Sequence, residues 1–353
     1  MKAKDIFIRE DFVFILQWHL TNRCDFRCNH CYIPNEKKKA EEELTFEQIT
    51  PTIDELSDLV SRWGVRGKIH YTGGNPLLRQ DIFDIINYTI DKNIEFGILG
   101  NPTASIDELR QLKKLGITKY QISLDGFKEN HDYIRGQRAF DKAINFLKVL
   151  KENDIFPDVM STVTKRNINE IPELAKYLYE NKLVKRFDFA RLVPIGQGQT
   201  LETTHISAQE YRNFMYKMLD TYKELKSNNV KYKIGAKDPL WSLVLYELGE
   251  STHDHRKDLI CGGCGVGISG LTIDVDGTVQ SCRRLNDNIG NIKNQSLWEI
   301  FFNSNKLNQM RNQYSIEKCN TCDIISACRG CRAVANGVNG NYFAEDPQCW
   351  YNI

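Results

Sequence analysis

Cys24, Cys28 and Cys31 lie close together in the stretch TNRCDFRCNHCY, spaced C-x3-C-x2-C. Three thiolates at this spacing can hold three irons of a four-iron cluster and leave the fourth iron without a protein ligand. An iron with an open position can bind a small chelating molecule and pass it an electron, which a site closed by four thiolates cannot do. Zinc sites favour pairs such as C-x2-C, so a lone group of three would be an incomplete zinc site. A disulfide framework also fits poorly, because eleven cysteines is an odd number and 353 residues is long for a stapled scaffold. An open cluster is the chemistry that best accounts for the pattern.

The other cysteines lie far along the chain. Cys261 and Cys264 form one C-x2-C pair and Cys282 follows. Cys319 and Cys322, then Cys328 and Cys331, form two more pairs, and Cys349 comes last. With three of the eleven assigned to the first site, eight remain, enough for two complete four-cysteine sets. Two zinc sites are the alternative, since C-x2-C pairs suit zinc. His253 and His255, in a His-Asp-His run, could ligate a metal or belong to a solvated loop.

Elements that could position these residues can be read from hydrophobic periodicity. Residues 13–20 read as a buried strand running straight into the first cysteine loop. Thr45 and Gln48 give a capping-box signal for a helix reaching Arg62, with Pro51 tolerable only near the first turn. Strands are expected at 68–72, 95–99, 119–124, 158–164 and 186–193, with helices at 81–92, from Ser105, and at 141–153, 171–181 and 208–227. Alternation of this kind implies parallel strands joined by right-handed crossovers. About six units fit, too few for a closed eight-stranded barrel, so the expectation is an α/β fold built as a partial (β/α)6 barrel. Functional groups of such barrels lie at the C-terminal ends of strands. The cysteine loop, Gly73-Gly74, Asn101, Ser123 and residues 191–198 all fall there and are expected to converge on one rim. The expected division is a barrel over 1–230, a connector over 231–256 and a Cys-rich module over 257–353.

Bulk properties narrow the function further. With 47 basic and 46 acidic residues the chain carries a net charge of +1, so no global field draws it to nucleic acid or anionic lipid. No segment has the ~20 uninterrupted apolar residues of a membrane span, and the N-terminus does not read as a signal peptide. A reducing cytoplasm, where thiolates bind metal rather than pair, is the expected compartment.

The first cysteine loop resembles the signature of the radical S-adenosyl-L-methionine (SAM) enzymes, in which the open iron of a 4Fe–4S cluster chelates SAM. Several other stretches support the resemblance. Tyr71-Thr-Gly-Gly-Asn-Pro76 is similar to the glycine-rich motif whose backbone receives the SAM ammonium, with Asn75 where the family usually has Glu. Residues 122–126 and 131–136 resemble the next landmark, which implies SAM contacts for Ser123 and Arg135. His30 stands where the family often has an aromatic beside the adenine, and the segment 192–196 containing Val193 resembles the stretch lining that adenine. The resemblance thus implies cofactor contacts for His30, Gly73, Gly74, Asn101, Ser123, Arg135 and Val193.

The C-terminal cysteines resemble the SPASM module, which carries two auxiliary 4Fe–4S clusters. By that resemblance Cys261, Cys264, Cys282 and Cys331 hold one cluster and Cys319, Cys322, Cys328 and Cys349 the other. The family usually has three residues where Arg329-Gly330 separate Cys328 from Cys331. Three clusters in all are expected, together with an electron donor such as flavodoxin or ferredoxin.

The resemblance further implies reductive cleavage of SAM to a 5′-deoxyadenosyl radical and hydrogen abstraction from a ribosomally made peptide, giving a cross-link or epimerisation. The cysteine loop begins too near the N-terminus to leave room for a recognition domain ahead of it, so a separate peptide-recognition protein or a sheet edge is expected to serve. Arg283 and Arg284 stand where sulfatase maturases have an acidic base, which disfavours that chemistry. Small-molecule radical chemistry, such as porphyrin side-chain decarboxylation, is the alternative reading.

Overall fold

The computed structural model describes residues 12–33, 43–201, 205–228, 233–235, 237–250 and 259–351. His253 and His255 lie outside these residues, as do parts of the expected connector.

Six parallel strands follow one another in chain order: β1 (Val13–Thr21), β2 (Arg66–Gly73), β3 (Glu95–Leu99), β4 (Lys119–Ser123), β5 (Pro157–Val163) and β6 (Arg186–Arg191). Between them run helices α1 (Phe46–Trp63), α2 (Ile82–Asp91), α3 (Ile106–Lys114), α4 (Lys128–Arg135), α5 (Ala139–Glu152) and α6 (Ile171–Glu180), and α7 (Ala208–Ser227) follows β6. This is the expected partial β/α barrel. Alternate strand residues explain why the helices cover one face only. Phe14, Leu16, Trp18 and Leu20 of β1 are buried, as are Ile69 and Tyr71 of β2. They share one core with Ile49, Ile53, Leu56 and Val60, the apolar stripe of α1. The intervening residues of the same strands, among them Gln17, His19, His70 and Thr72, point to the opposite, barrel-interior face.

Local signals in the sequence have identifiable outcomes. Thr45 and Gln48 form the capping box of α1, and Gly64 closes that helix with a φ of 64°. Pro51 sits in the second turn rather than the first, and its ring faces solvent. The helix α4 was not expected. Its sequence, KENHDYIR, has few apolar residues and reads as polar loop, yet Asn130, His131 and Ile134 are buried on one side of it.

The sheet does not end at β6. A short strand β7 (Lys233–Ile234) adds in parallel beside β6, and α8 (Trp241–Glu247) follows with Trp241, Leu243 and Val244 buried. On the other side β8 (Gly270–Ile273) pairs in parallel with β1, Ile15 opposite Gly270, and continues antiparallel into β9 (Thr278–Gln280) and β10 (Gly290–Asn291). A Cβ at position 270 would collide with the Ile15 carbonyl, which accounts for glycine at the first residue of β8. One ten-stranded sheet, ordered β10-β9-β8-β1-β2-β3-β4-β5-β6-β7, therefore carries both the barrel and the start of the Cys-rich region. The helices α9 (Leu297–Asn303), α10 (Asn305–Arg311) and α11 (Arg332–Asn339) complete that region.

A buried ion-pair junction ties the barrel to the C-terminal residues. Arg191, at the end of β6, pairs with Asp238 (2.9 Å) and Asp346 (2.5 Å) and also donates to the Gln348 side chain. Tyr211 of α7 donates to Asp238, and the Cys331 N–H donates to Asp346. Burial opposes charge on Arg191 and Asp346, but the mutual attraction wins: the guanidinium is held further toward its charged form and the Asp346 carboxyl below its usual range. Arg191→Ala would leave two carboxylates buried without their cation. The expected cost is about 3–5 kcal/mol, read as a lowered thermal midpoint and faster proteolysis near residue 238. Adding Asp238→Asn and Asp346→Asn should recover part of the loss, and a wild-type midpoint for Arg191→Ala alone would contradict the assignment.

Candidate functional site

The C-terminal ends of β1 to β6 border one cleft. Its volume, open mouth included, is about 1120 Å³, and Cys24, Cys28, Cys31, His30, Gly73, Gly74, Asn101, Ser123, Arg135 and Val193 all line it. Every residue expected to contact the cofactor is therefore gathered in one place, at the strand ends where a barrel carries its chemistry.

The cysteine loop is fixed by backbone. Gly74 N–H donates to the Thr21 carbonyl (2.7 Å) and Asn75 N–H to the Arg23 carbonyl (2.8 Å). Gly73 adopts a φ of 119°; a Cβ there would collide with the Thr21 carbonyl, and one on Gly74 with the Arg23 carbonyl. The sequence reading gave these glycines to an approaching ligand, whereas the atoms that a side chain would strike belong to the chain itself. The exit of the loop is held in the same way. Gln197 N–H donates to the Cys31 carbonyl (2.8 Å), and Gly196, with a φ of 56°, lies against the Cys31 and Tyr32 carbonyls.

Asn75 has a specific role. Its amide donates to Asp25 (3.3 Å) and to Thr103 (3.1 Å), while its own oxygen accepts from Leu77 N–H. Asp25 also accepts from Thr103 (2.5 Å) and from Asn101, and Asn101 in turn donates to the Cys24 sulfur (3.3 Å). A glutamate at 75 would face the Asp25 carboxylate, so the departure from Glu has a local electrostatic reason. Asn101 thus reaches the first cysteine, through a network centred on an aspartate that the sequence reading did not single out.

Arg135, expected to contact the cofactor, lines the cleft and has partners within the chain as well: its Nε donates to Asp125 (2.5 Å) and a terminal nitrogen lies 3.6 Å from the Cys28 sulfur. Asp125 is fully buried and also accepts from Thr162 N–H (2.7 Å). Burial pushes its carboxyl up, but Arg135, His30 and His131 outweigh that and hold it below the usual range. His30 lies 3.5 Å from Asp125, and burial holds its imidazole down to about 4. The Cys28 thiol is pushed up by burial, while Arg135 pulls the other way. A buried cation beside this sulfur favours the thiolate form that binds iron.

Tyr32 was missed as well. Its hydroxyl lies 3.2 Å from His19 Nε2, and His19 Nδ1 lies 3.3 Å from Asp274, which joins the cleft wall to the residue following β8. Burial raises the Tyr32 phenol to about 12. Only pairing across β1 and β8 brings these three residues together, and no local pattern announces it.

The C-terminal thiols form two neighbourhoods. Cys319 is raised to about 12 by burial, with Cys349 and Cys322 adding to the effect and Arg332 opposing it; Cys328 feels Cys349 and Cys319 in the same way. Cys331 feels Cys264, and the Arg284 guanidinium feels both Cys331 and Cys282. Cys261 is exposed, its N–H bonded to the Ser326 carbonyl. The short Cys328–Cys331 spacing is met by consecutive left-handed residues, Arg329 (φ 60°) and Gly330 (φ 55°), and Gly330 N–H donates to the Cys328 sulfur. None of the eleven cysteines is disulfide-bonded. Among the described residues no three Cys, His, Asp or Glu side chains converge closely enough to hold a single ion, as a mononuclear zinc site would require.

Comparison with known proteins gives the family. A model of the radical SAM superfamily matches residues 18–178, and one of an iron–sulfur cluster-binding domain, SPASM, matches residues 264–323. The chain carries a radical SAM domain followed by a SPASM domain. SAM and 4Fe–4S clusters are accordingly its cofactors, and it is a radical SAM oxidoreductase. The residues present fit these groups. Donors from Asn101 and Arg135 meet the sulfurs of Cys24 and Cys28, and buried Asn22 Oδ1 and His30 Nδ1, on residues lining the cleft, have no partner within the structure.

Among its relatives, the AdoMet-dependent heme synthase of Methanosarcina barkeri is 28% identical over 96% of both chains. The Fe-coproporphyrin III synthase of the same organism is 27% identical over 95% of this chain and 87% of its own. A solved structure, Streptococcus suis SuiB bound to S-adenosylmethionine, superposes with a TM-score of 0.74 at 18% identity, covering 97% of this chain and 78% of that one; this likeness speaks to the fold alone. The expectation of a ribosomal peptide substrate is corrected by the curated relatives, which match almost end to end and are named for making haem and an iron porphyrin. No described helix is long and apolar enough to cross a membrane.

Two substitutions test the loop geometry. Gly74→Ala should lower iron content to that of a protein lacking Cys24, Cys28 and Cys31, leaving the iron of the C-terminal thiols; full iron loading of Gly74→Ala would contradict the contact. Asn75→Glu should weaken SAM binding about tenfold through repulsion from Asp25, and Asp25→Asn in the same chain should restore it. The readout is SAM titration of the reconstituted protein.

Proposed function

We propose that the protein is a small-molecule radical SAM enzyme that modifies a carboxylate side chain of a tetrapyrrole, in the manner of a haem-pathway decarboxylase. The observation that carries this reading is the near end-to-end similarity to a haem synthase, 96% of both chains. The cleft supports it, since Arg283 lines its wall and presents a cation to an anionic substrate.

In this reading Cys24, Cys28 and Cys31 hold the SAM cluster. Cys261, Cys264, Cys282 and Cys331 hold one auxiliary cluster, and Cys319, Cys322, Cys328 and Cys349 the other. Residues 1–230 act as the SAM-cleaving domain and 257–353 as the auxiliary-cluster domain, joined through 231–256. When bound at the open iron, SAM supplies the radical that removes hydrogen from the substrate. The chain's own contribution is to position the reactants and keep water out. Asp125 and Arg135 fix Cys28, the Asp25 network fixes Cys24, and Ser123, Gln121 and Val193 shape the wall that a ligand would meet. A low-potential donor such as flavodoxin or ferredoxin is the partner the reaction needs, and a reducing cytoplasm is its setting, which eleven cysteines outside any disulfide support.

The test is anaerobic incubation of the dithionite-reduced protein with SAM and iron coproporphyrin III. Substrate-dependent 5′-deoxyadenosine and a product lighter by carbon dioxide are expected by mass spectrometry. If neither forms with iron coproporphyrin III or with related propionate-bearing tetrapyrroles, the reading fails. Three clusters predict about twelve irons per chain, measured on the same preparation.

A further inference from the structure

Arg283 and Arg284 are the central residues of a tight turn after β9, closed by Leu285 N–H donating to the Cys282 carbonyl (2.8 Å). Both line the cleft, but their guanidinium groups diverge. Arg283 lies over the Tyr32 ring, 5.9 Å from its centre. Arg284 donates to the Arg191 carbonyl at the end of β6 (3.1 Å) and, through its other terminal nitrogen, toward the Cys331 sulfur (3.9 Å). The two carboxylates of the neighbouring junction, Asp238 and Asp346, are taken by Arg191, and Arg284 pairs with no carboxylate among the described residues.

Packing separates the C-terminal thiols into two sets without reference to charge. Cys264, Cys282 and Cys331 share a small apolar cluster with Val193, Val266, Leu285 and Met310. Cys319, Cys322, Cys328 and Cys349 belong to the main core. The backbone donors of the first set are engaged elsewhere: Cys261 N–H goes to the Ser326 carbonyl, Cys264 N–H to the Cys328 carbonyl and Cys331 N–H to Asp346. Among the described residues, Arg284 is then the one side chain that donates toward a sulfur of this set. Val193 also lines the cleft, so the cleft and this set of thiols meet at Arg284 and Val193. A four-iron cluster gains negative charge when it takes up an electron, so a fixed cation with an N–H aimed at a ligand sulfur favours the reduced state. A guanidinium cannot escape that role by losing its proton.

We infer that Arg284 raises the reduction potential of the auxiliary cluster held by Cys261, Cys264, Cys282 and Cys331, and so prepares that cluster to take up an electron from the cleft. The inference rests on the cluster assignment and the small-molecule reading above and adds to them a residue that biases the direction of electron flow. Radical removal of a carboxylate has such an electron to dispose of. A hydrogen atom passes from the side-chain carbon to the adenosyl carbon, the bond to the carboxylate carbon breaks, a carbon–carbon double bond forms and carbon dioxide leaves. One electron remains, and the oxidised cluster accepts it. Arg284 does not touch the substrate in this assignment; it acts through the cluster.

The test is a redox titration of the anaerobically reconstituted full chain, followed by electron paramagnetic resonance. The signal that changes on adding SAM belongs to the first cysteine loop, and the signal missing from Cys282→Ala or Cys331→Ala belongs to this set. Iron content and circular dichroism report that each variant is folded and loaded. In Arg284→Gln the reduced-to-oxidised ratio of this cluster at a fixed potential should fall about tenfold, a shift of about 59 mV to more negative values for a one-electron couple. Arg284→Met, which lacks both charge and donor, should shift at least as far, and Arg284→Lys should recover part of the wild-type potential. The signal of the Cys319 set should stay in place, which a general loosening of the region would not allow. A wild-type potential in both charge-free variants, or an equal shift of both C-terminal signals, overturns the inference and leaves the porphyrin assay untouched. If neither Cys282→Ala nor Cys331→Ala removes a signal, the cluster assignment fails and the inference falls with it. A shift in the Arg284 variants, from a protein that forms no product with any tetrapyrrole, removes the small-molecule reading and upholds the part given to Arg284.

Discussion

The close approach of Gly73 and Gly74 to the carbonyls of Thr21 and Arg23 is the constraint on which the rest of the site depends. It locks the start of the cysteine loop onto the end of β2, so that the thiols sit over the strand ends rather than out in solvent. Once that seam is closed, Asn75 can reach Asp25, and Asn101 can bridge Asp25 to the Cys24 sulfur. The opposite end is held by the β6 loop through Gln197 and Gly196. A loop pinned at both ends by main-chain contacts can present three thiolates in a fixed array with little dependence on its own side chains.

Charge is distributed around this array in a consistent sense. Arg135 stands beside Cys28, compensated by buried Asp125, and Arg284 lies between Cys331 and Cys282. Each cation near a sulfur lowers the cost of a buried thiolate. Arg191 does a different job nearby, joining β6 to Asp238 and Asp346, and the Cys331 N–H ends on that same Asp346. The C-terminal region is thus tied to the barrel rim by buried ion pairs.

The sheet makes the same point at the level of the fold. Pairing of β8 with β1 and of β7 with β6 covers both edges of the six-stranded barrel. Open edges invite association with other chains, and here the Cys-rich region closes one of them. It also brings Asp274 to His19 and Tyr32, and Arg283 into the cleft.

Much was legible in the residues alone. The cysteine spacings and the alternation of apolar strands with amphipathic helices made the iron–sulfur chemistry, the six-unit barrel and the gathering of the first cysteine loop at the strand ends legible, because ligand spacing and hydrophobic period are local properties. What stayed hidden depends on contacts between distant positions. The part Asp125 plays shows only once Arg135 and His30 close around it, and α4 reads as loop because its buried face is mostly polar. Gly73 and Gly74 read as space for a ligand until the Thr21 and Arg23 carbonyls are seen there. The substrate was misread for a related reason. The cysteine pattern speaks for the clusters, whereas the fit of a substrate depends on the cleft walls, which residues from six strand ends and from the turn after β9 form only on folding.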